Sequence, residues 1–419
     1  MSKDRTAPSR SGVLFAVLLL LRPVPGQVLL ANDWPQWMGP RGDGVSTATG
    51  IFHEKMAPEI RQAWRRPLGR GFSSISTADG RAYTMADGER SAYVLALDVE
   101  TGRELWRFQS VDSGPSGPLS TPTVDGDRVF AIDAEGSLYA LRTGDGRSLW
   151  SCNLVDQLGA AVPGYGFSSS PLVEAGRVLV LAGGESAHNL VAFDKATGEV
   201  LWSVFHAALG SYSTPVVGTL GGVRQIVVPG GDTLYSIGSS GNILWTYKGL
   251  GYPEKNPLLL PENRIFISLT EAGHMMQLER EGGTFRLHEV WSTTAIRRSY
   301  SPSIYLDGSI YGFDNNNMTC LDARTGELRW REGLKGGSMI LVDQHLIVLD
   351  ALGGKLRLVV PEPTGYRERL SVDVFAATSQ SVTPPSFASE HIFVRNQEEV
   401  VALKVIRIGV TAGPSKGPR

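Results

Sequence analysis

Alternating apolar and polar positions dominate this chain, and they recur as one phrase. The phrase appears as "YVLALDVETGRELW" (93–106), "SLYALRTGDGRSLW" (137–150), "NLVAFDKATGEVLW" (189–202) and "TCLDARTGELRW" (319–330). Looser copies end at Trp245 and Trp291. In each, apolar residues two apart run into a turn, and the alternation resumes up to a tryptophan, which predicts a β-hairpin. Asp98, Asp194 and Asp322 are suited to bond the turn backbone, and Gly102, Gly198 and Gly326 supply the positive φ the turn needs. Two further short strands precede each hairpin, as in "STPTVDGDRVFAID" (120–133).

Leaving out Trp34 and Trp37, the tryptophans fall at 64, 106, 150, 202, 245, 291 and 330, with steps of 39 to 52 residues. Four strands in about 40–45 residues is the unit of a β-propeller blade. Seven units run in order from about 69 to 375, the seventh ("SMILVDQHLIVLDALGGKLRLVVPEPTGYRERLSV", 338–372) without its tryptophan. An eighth is split. Residues 385–405 supply three strands and "EIRQAWRRPLG" (59–69) the fourth, so the ends close the ring and remove its open edges. The expected fold is all-β: an eight-bladed propeller over 59–407, with a lead-in at 27–58 and a flexible tail at 408–419.

The N-terminus reads as an export signal. Lys3, Arg5 and Arg10 precede the apolar "GVLFAVLLLL" (12–21), too short to span a bilayer, and Val24 and Gly26 offer small-residue cleavage positions. A signal peptide over 1–26 and a periplasmic or secreted product follow as expectations, without a transmembrane span after cleavage and as a monomer. No cysteine lies near the cut, so a lipid anchor is not expected. Cys152 and Cys320 are far apart and make no disulfide framework. The net charge is −2 and no basic run occurs, which argues against a nucleic-acid partner.

These phrases resemble the pyrroloquinoline-quinone-like repeat of quinoprotein-type propellers, over about residues 34–407. "DWPQWMGPRGDGVS" (33–46) is similar to the lead-in of secreted bacterial propellers of this type. The resemblance implies the fold more strongly than a function, because the fold hosts both enzymes and scaffolds. One branch holds quinone-dependent alcohol and sugar dehydrogenases. The other holds BamB-like scaffolds, which dock partner proteins of the outer-membrane β-barrel assembly machinery and do no chemistry.

The dehydrogenase branch implies pyrroloquinoline quinone held with calcium beneath two adjacent, bonded cysteines, and no two cysteines are adjacent here. Cys320 aligns with Ala96, a core position, and Cys152 lies just past Trp150 on an outer strand. No position matches that branch's calcium ligands or catalytic aspartate. The seven histidines lack metal-ligand spacing, and no G-x-S-x-G elbow, P-loop or G-x-G-x-x-G occurs. "RGD" at 41–43 is short enough to arise by chance. No catalytic residue, cofactor or metal site is therefore expected. Quinone with calcium belongs only to the dehydrogenase alternative.

The segments joining one blade to the next should line the rim of the central channel. They read "GFSSI", "GPLSTP", "GYGFSSSP", "GSYSTP", "GYPEKNP", "RRSYSPS", "GGSMI" and "SVTPPS". Pro122, Pro171, Pro215, Pro257 and Pro302 recur at the first residue of a strand, where no ladder donor is required. The preceding Ser or Thr is expected to bond local backbone. What varies among the joints is the candidate binding surface: Tyr165, Phe167, Tyr212, Tyr252, Lys255, Arg297, Arg298 and Tyr300. Aromatic rings with a few charges suit a protein loop, a peptide or a sugar. The expected function is an exported, non-catalytic scaffold binding a protein or cell-envelope polymer at this rim. A quinone-dependent dehydrogenase and a carbohydrate-binding propeller are the alternatives.

Overall fold

The computed structural model describes residues 33–52, 58–88, 91–110, 117–182, 190–204, 213–250, 256–297 and 301–406. Among the described residues the strands form eight four-stranded antiparallel sheets. Each is a meander from an inner to an outer strand: blade 1 (76–109), blade 2 (123–153), blade 3 (172–204), blade 4 (216–248), blade 5 (258–293), blade 6 (304–333) and blade 7 (337–373). Blade 8 takes Ser386–Ala388, His391–Arg395 and Glu399–Ile406 from the C-terminal end and Glu59–Pro67 as its outer strand. The eight-bladed propeller and its split closing blade are thus as the repeat predicts. The signal segment and tail lie outside the described residues.

A register shift interrupts every outer strand at one place, for example between Ala96 and Leu97, where Trp106 pairs with Ala96 and Leu105 is skipped. Such a bulge bends and re-aims the strand. The skipped residue turns to solvent, which accounts for the exposure of Leu149, Leu201 and Val290. The tryptophan turns toward the next blade. In blade 7 Leu370 holds this position opposite Leu358. Cys320 lies between Tyr311 and Trp330 as Ala96 lies between Tyr83 and Trp106, and both cysteines are buried free thiols.

The turn chemistry is as the sequence implies. Asp98 Oδ1 accepts from Thr101 N at 2.9 Å, Asp194 Oδ1 from Thr197 N at 2.9 Å, and Asp322 Oδ1 from Thr325 N at 3.0 Å. The core is divided between blades, each cluster drawing its apolar faces from two neighbouring sheets.

Candidate functional site

Two expectations about the joints need correction. Pro122, Pro171, Pro215 and Pro257 stand immediately before their strands rather than within them. Pro302 lies one residue earlier still, since its strand begins at Ile304. Thr121, Ser170 and Thr214 bond the neighbouring blade rather than local backbone, whereas Ser301 does bond local backbone, its Oγ donating to Pro302 O at 3.2 Å, and also accepts from Met339 N of blade 7 at 3.4 Å. Ser74 N donates to Thr121 Oγ1 (2.9 Å), Thr121 N to Ser170 Oγ (2.9 Å), Ser170 N to Thr214 Oγ1 (3.1 Å), and Thr214 N to Asn256 Oδ1 (3.0 Å). Each side chain occupies a donor that would otherwise be buried unpaired. The result is a belt of side-chain-to-backbone bonds linking blades 1 to 5 around the channel.

Among the described residues the rim is most elaborated between blades 2 and 3. A helix, Leu154–Leu158, follows the outer strand of blade 2; Asn153 Oδ1 caps it by accepting from Asp156 N at 3.0 Å. Gly159, at φ 65°, ends it in the left-handed conformation that spares glycine a side-chain clash. Beyond it the chain makes a tight turn closed by Gly166 N donating to Pro163 O at 2.7 Å. Tyr165 stands on this turn with 64% of its surface exposed. Phe167, two residues on, points the other way. It is 3% exposed and packs on Gly136, where a Cβ would approach its ring to 2.7 Å. Phe167 N also donates to Ala134 O at 2.9 Å. Phe167 therefore anchors the loop, and the surface it offers a ligand is that of Tyr165.

The anchoring turn is itself held by a buried carboxylate. Asp133 accepts from Ser137 N (2.8 Å), Glu135 N (3.2 Å) and the Tyr139 hydroxyl (3.2 Å), and burial raises its pKa above the usual carboxylate range. Nearby, the Cys152 thiol donates to Gln157 Oε1 at 3.0 Å, and burial pushes its pKa up to about 11, far from a reactive thiolate. On the far side of the rim Arg297 faces Asp314, with Nε at 3.4 Å from Oδ1, and Arg331 shares that carboxylate. Tyr212, Tyr252, Lys255, Arg298 and Tyr300 lie outside the described residues.

The lead-in crosses the channel, which nothing in its sequence announces. Trp34 exchanges backbone hydrogen bonds with Thr77 of blade 1, and Val124 N of blade 2 donates to Pro35 O. Gly44 O accepts from Leu341 N of blade 7, whose carbonyl accepts from Ser46 N. Arg41 and Asp43 form their own ion pair at 2.9 Å, so the "RGD" stretch is a folded turn in the channel. A cavity of about 430 Å³ remains between the lead-in and the inner strands of blades 2 to 5.

The carboxylates at this cavity do not fit a calcium-bound quinone. Asp43 is engaged by Arg41, Asp125 by Lys195 and Glu174 by Arg224, the last at 2.9 Å. Among the described residues no group of three or more His, Cys, Asp or Glu side chains is placed to hold a metal ion. No described helix is long and apolar enough to cross a membrane.

Fold and rim together define an eight-bladed propeller of the quinoprotein type, with the lead-in seated in its channel and, among the described residues, a connector that projects at Tyr165. A family model described as "Outer membrane protein assembly factor BamB" matches residues 90–218 and 186–406, and the chain belongs to that family. It is 24% identical over 376 residues to Outer membrane protein assembly factor BamB of Shewanella oneidensis, covering 77% of this chain and 88% of that relative. Quinohemoprotein alcohol dehydrogenase ADH IIB of Pseudomonas putida is 29% identical over 147 residues, only 20% of its own length. Among solved structures, BamB from Moraxella catarrhalis superposes with a TM-score of 0.61 at 14% identity, covering 83% of this chain and 98% of that one. Quinohemoprotein alcohol dehydrogenase from Comamonas testosteroni gives 0.70 at 13% identity, covering 93% and 83%. At these identities the superpositions speak to the fold alone.

Proposed function

We propose that this is an exported, non-catalytic propeller scaffold that binds a partner protein of the cell envelope through its channel rim. The observation that carries the reading is Tyr165, an exposed aromatic ring on a turn fixed by Phe167 below and by Gly159 and Gly166 at its flanks. A rigid aromatic residue gives contact area at small entropic cost, which is what binding surfaces select. The near full-length likeness to an outer-membrane assembly factor supports a periplasmic scaffold, whereas the likeness to the dehydrogenase covers a fraction of that enzyme. The connector residues Tyr212, Tyr252, Lys255, Arg298 and Tyr300 complete the proposed rim, with Arg297 beside them.

Site-specific photo-cross-linking in living cells tests the reading. A photoreactive residue at Tyr165 should trap a discrete protein, and one at Arg286 on the outer hairpin of blade 5 should not. Cross-linking to glycan only would favour a polymer ligand. Calcium-dependent heat on titrating pyrroloquinoline quinone into the mature protein would overturn the scaffold in favour of the dehydrogenase.

A further inference from the structure

The lead-in shows how this channel holds a polypeptide, and among the described residues no segment is held this way by the inner strands of blades 3 to 5. In a three-residue inner strand paired to its neighbour, the middle residue turns its N–H and C=O away from the ladder, toward the channel. Thr77, Val124 and Leu341 are the middle or corresponding inner positions of blades 1, 2 and 7, and each bonds the backbone of the lead-in there. Val173, Val217 and Leu259 are the same positions of blades 3, 4 and 5, each opposite a ladder residue in the same register: Val178, Ile226 and Ile265. All three line the cavity of about 430 Å³, and the lead-in makes no backbone bond to them. The side chains around them are mixed, Leu172, Val216 and Leu258 beside Thr123, Thr214 and Asn256, and Trp37 and Pro40 of the lead-in border the same space. The charges at the cavity are already paired, Arg41 with Asp43 and Glu174 with Arg224.

We infer that the channel face of blades 3 to 5 is a binding site for a short, extended, uncharged segment of a partner polypeptide, held by backbone hydrogen bonds to Val173, Val217 and Leu259 as the lead-in is held by Thr77, Val124 and Leu341. Sheet-edge addition of this kind draws affinity from main-chain bonds and selectivity from alternate side chains. Strand backbone facing this cavity is costly to leave unpaired, so a segment that replaces water there gains hydrogen bonds and buries the apolar part of the lining. The volume lies within the range of about 300–1,000 Å³ common to ligand pockets, and it is too small for a folded element. The site deepens the partner-binding reading, on which it rests, and moves part of the contact from the rim into the channel.

The test is selection from a phage-displayed library of linear nonapeptides on the mature protein, followed by titration of the enriched peptides. Val217→Trp fills the cavity and should weaken binding at least tenfold; Val173→Trp is the second blocking variant should the first not fold, and Arg286→Ala, on the outer hairpin of blade 5, should leave peptide affinity unchanged. Methylating single backbone nitrogens of a bound peptide should abolish binding at alternate positions only, and hydrogen exchange should show new protection at residues 173, 217 and 259. Enriched peptides that bind the folded Val217→Trp variant equally well, or a selection no richer on wild type than on that variant, would overturn the inference. If that happens while Tyr165 still cross-links a protein in cells, the rim reading stands and only the channel site fails.

Discussion

Trp64 lies flat against Gly102, and a Cβ on that glycine would sit 2.5 Å from the indole ring. The indole Nε1 also donates to Val99 O, in the same turn, at 2.8 Å. Trp64 belongs to the outer strand of the split blade 8 and Gly102 to the hairpin turn of blade 1, so this contact fastens the outer strand of blade 8 to blade 1. The arrangement repeats. Trp106 meets Gly146 and Thr143 O, Trp150 meets Gly198 and Lys195 O, and Trp202 meets Gly241 and Ser239 O. The glycine is therefore required twice, by its positive φ (68° at Gly102) and by the ring upon it.

Gly102→Ala should consequently be strongly destabilising. The left-handed backbone costs a residue with a Cβ roughly 1–2 kcal/mol, and forcing a methyl against the indole adds about 1–3 kcal/mol. Gly144→Ala, in a turn where a Cβ meets nothing within 4 Å and φ is not positive, is the matched control and should be near neutral. Urea unfolding of both variants checks this. Equal midpoints would mean that the tryptophans do not lock the blades.

The belt at the channel end gives a second expectation. In Ser170→Ala the Thr121 N–H loses its acceptor while remaining buried, at a cost of about 1–3 kcal/mol. Ser170→Thr keeps the oxygen and should recover most of the loss. Hydrogen exchange at Thr121 is the direct readout: its amide should exchange faster in the alanine variant and regain protection in the threonine variant.

Much of this architecture is legible in one dimension because a propeller repeats its physics with its sequence. The tryptophan spacing is enough to place every blade but the seventh, which its strand pattern places, and the Asp-x-x-Thr-Gly turns form as their composition implies. The contacts between blades are not legible, since each joins residues some 40 positions apart with no local period: the Ser, Thr or Asn side chain before Pro122, Pro171, Pro215 and Pro257 accepts from the neighbouring blade. Tyr165 and Phe167 show the limit for the site. They are two residues apart, and in a strand they would share a face. Because the Pro163–Gly166 turn reverses the chain between them, one is displayed and the other buried. The capped helix at Leu154–Leu158 did carry a signal, Asn153 ahead and Gly159 behind, within what reads from composition as a loop.

Stability should depend on two histidines at the ring's closing region. His345 and His391 open equivalent strands of blades 7 and 8, and burial lowers the pKa of both. His345 accepts from Arg369 at Nε2 and donates from Nδ1 to Asp343 O, both at 2.8 Å, which requires the neutral ring. His391 likewise donates from Nδ1 to Ser389 O at 2.8 Å. With folded pKa values below the usual histidine value of about 6.5, the unfolded chain binds more protons than the native one. Their contribution is then complete above that value and is lost as the pH falls toward the folded values. Melting temperature should drop between about pH 7 and pH 5, and the double variant His345→Gln/His391→Gln should flatten the slope. A slope unchanged by the double variant would assign the acid sensitivity elsewhere.

Between blades 7 and 8 the tryptophan lock is missing, and the lead-in takes its place. Leu370 occupies the tryptophan position, and Ala48, Ile51 and Phe52 fill the core beside it together with Trp34. One carboxylate holds this segment: Asp343 accepts from Gly50 N at 3.0 Å, Ile51 N at 2.6 Å and Phe52 N at 2.7 Å. Hydrogen bonds to a charged group contribute about 1.5–3 kcal/mol each, so releasing all three loosens both the lead-in and the seam. Asp343 has φ 45°, a conformation glycine adopts freely, so Asp343→Gly removes the acceptor without adding backbone strain. That variant should lower the melting temperature and expose the lead-in to limited proteolysis before the blades are cut, while Asp343→Asn, which keeps one acceptor oxygen, should fall between it and wild type. If the glycine variant matched wild type in both measurements, the seam would be held by apolar packing alone, and Phe52→Ala rather than Asp343→Gly would then be the change that opens the ring.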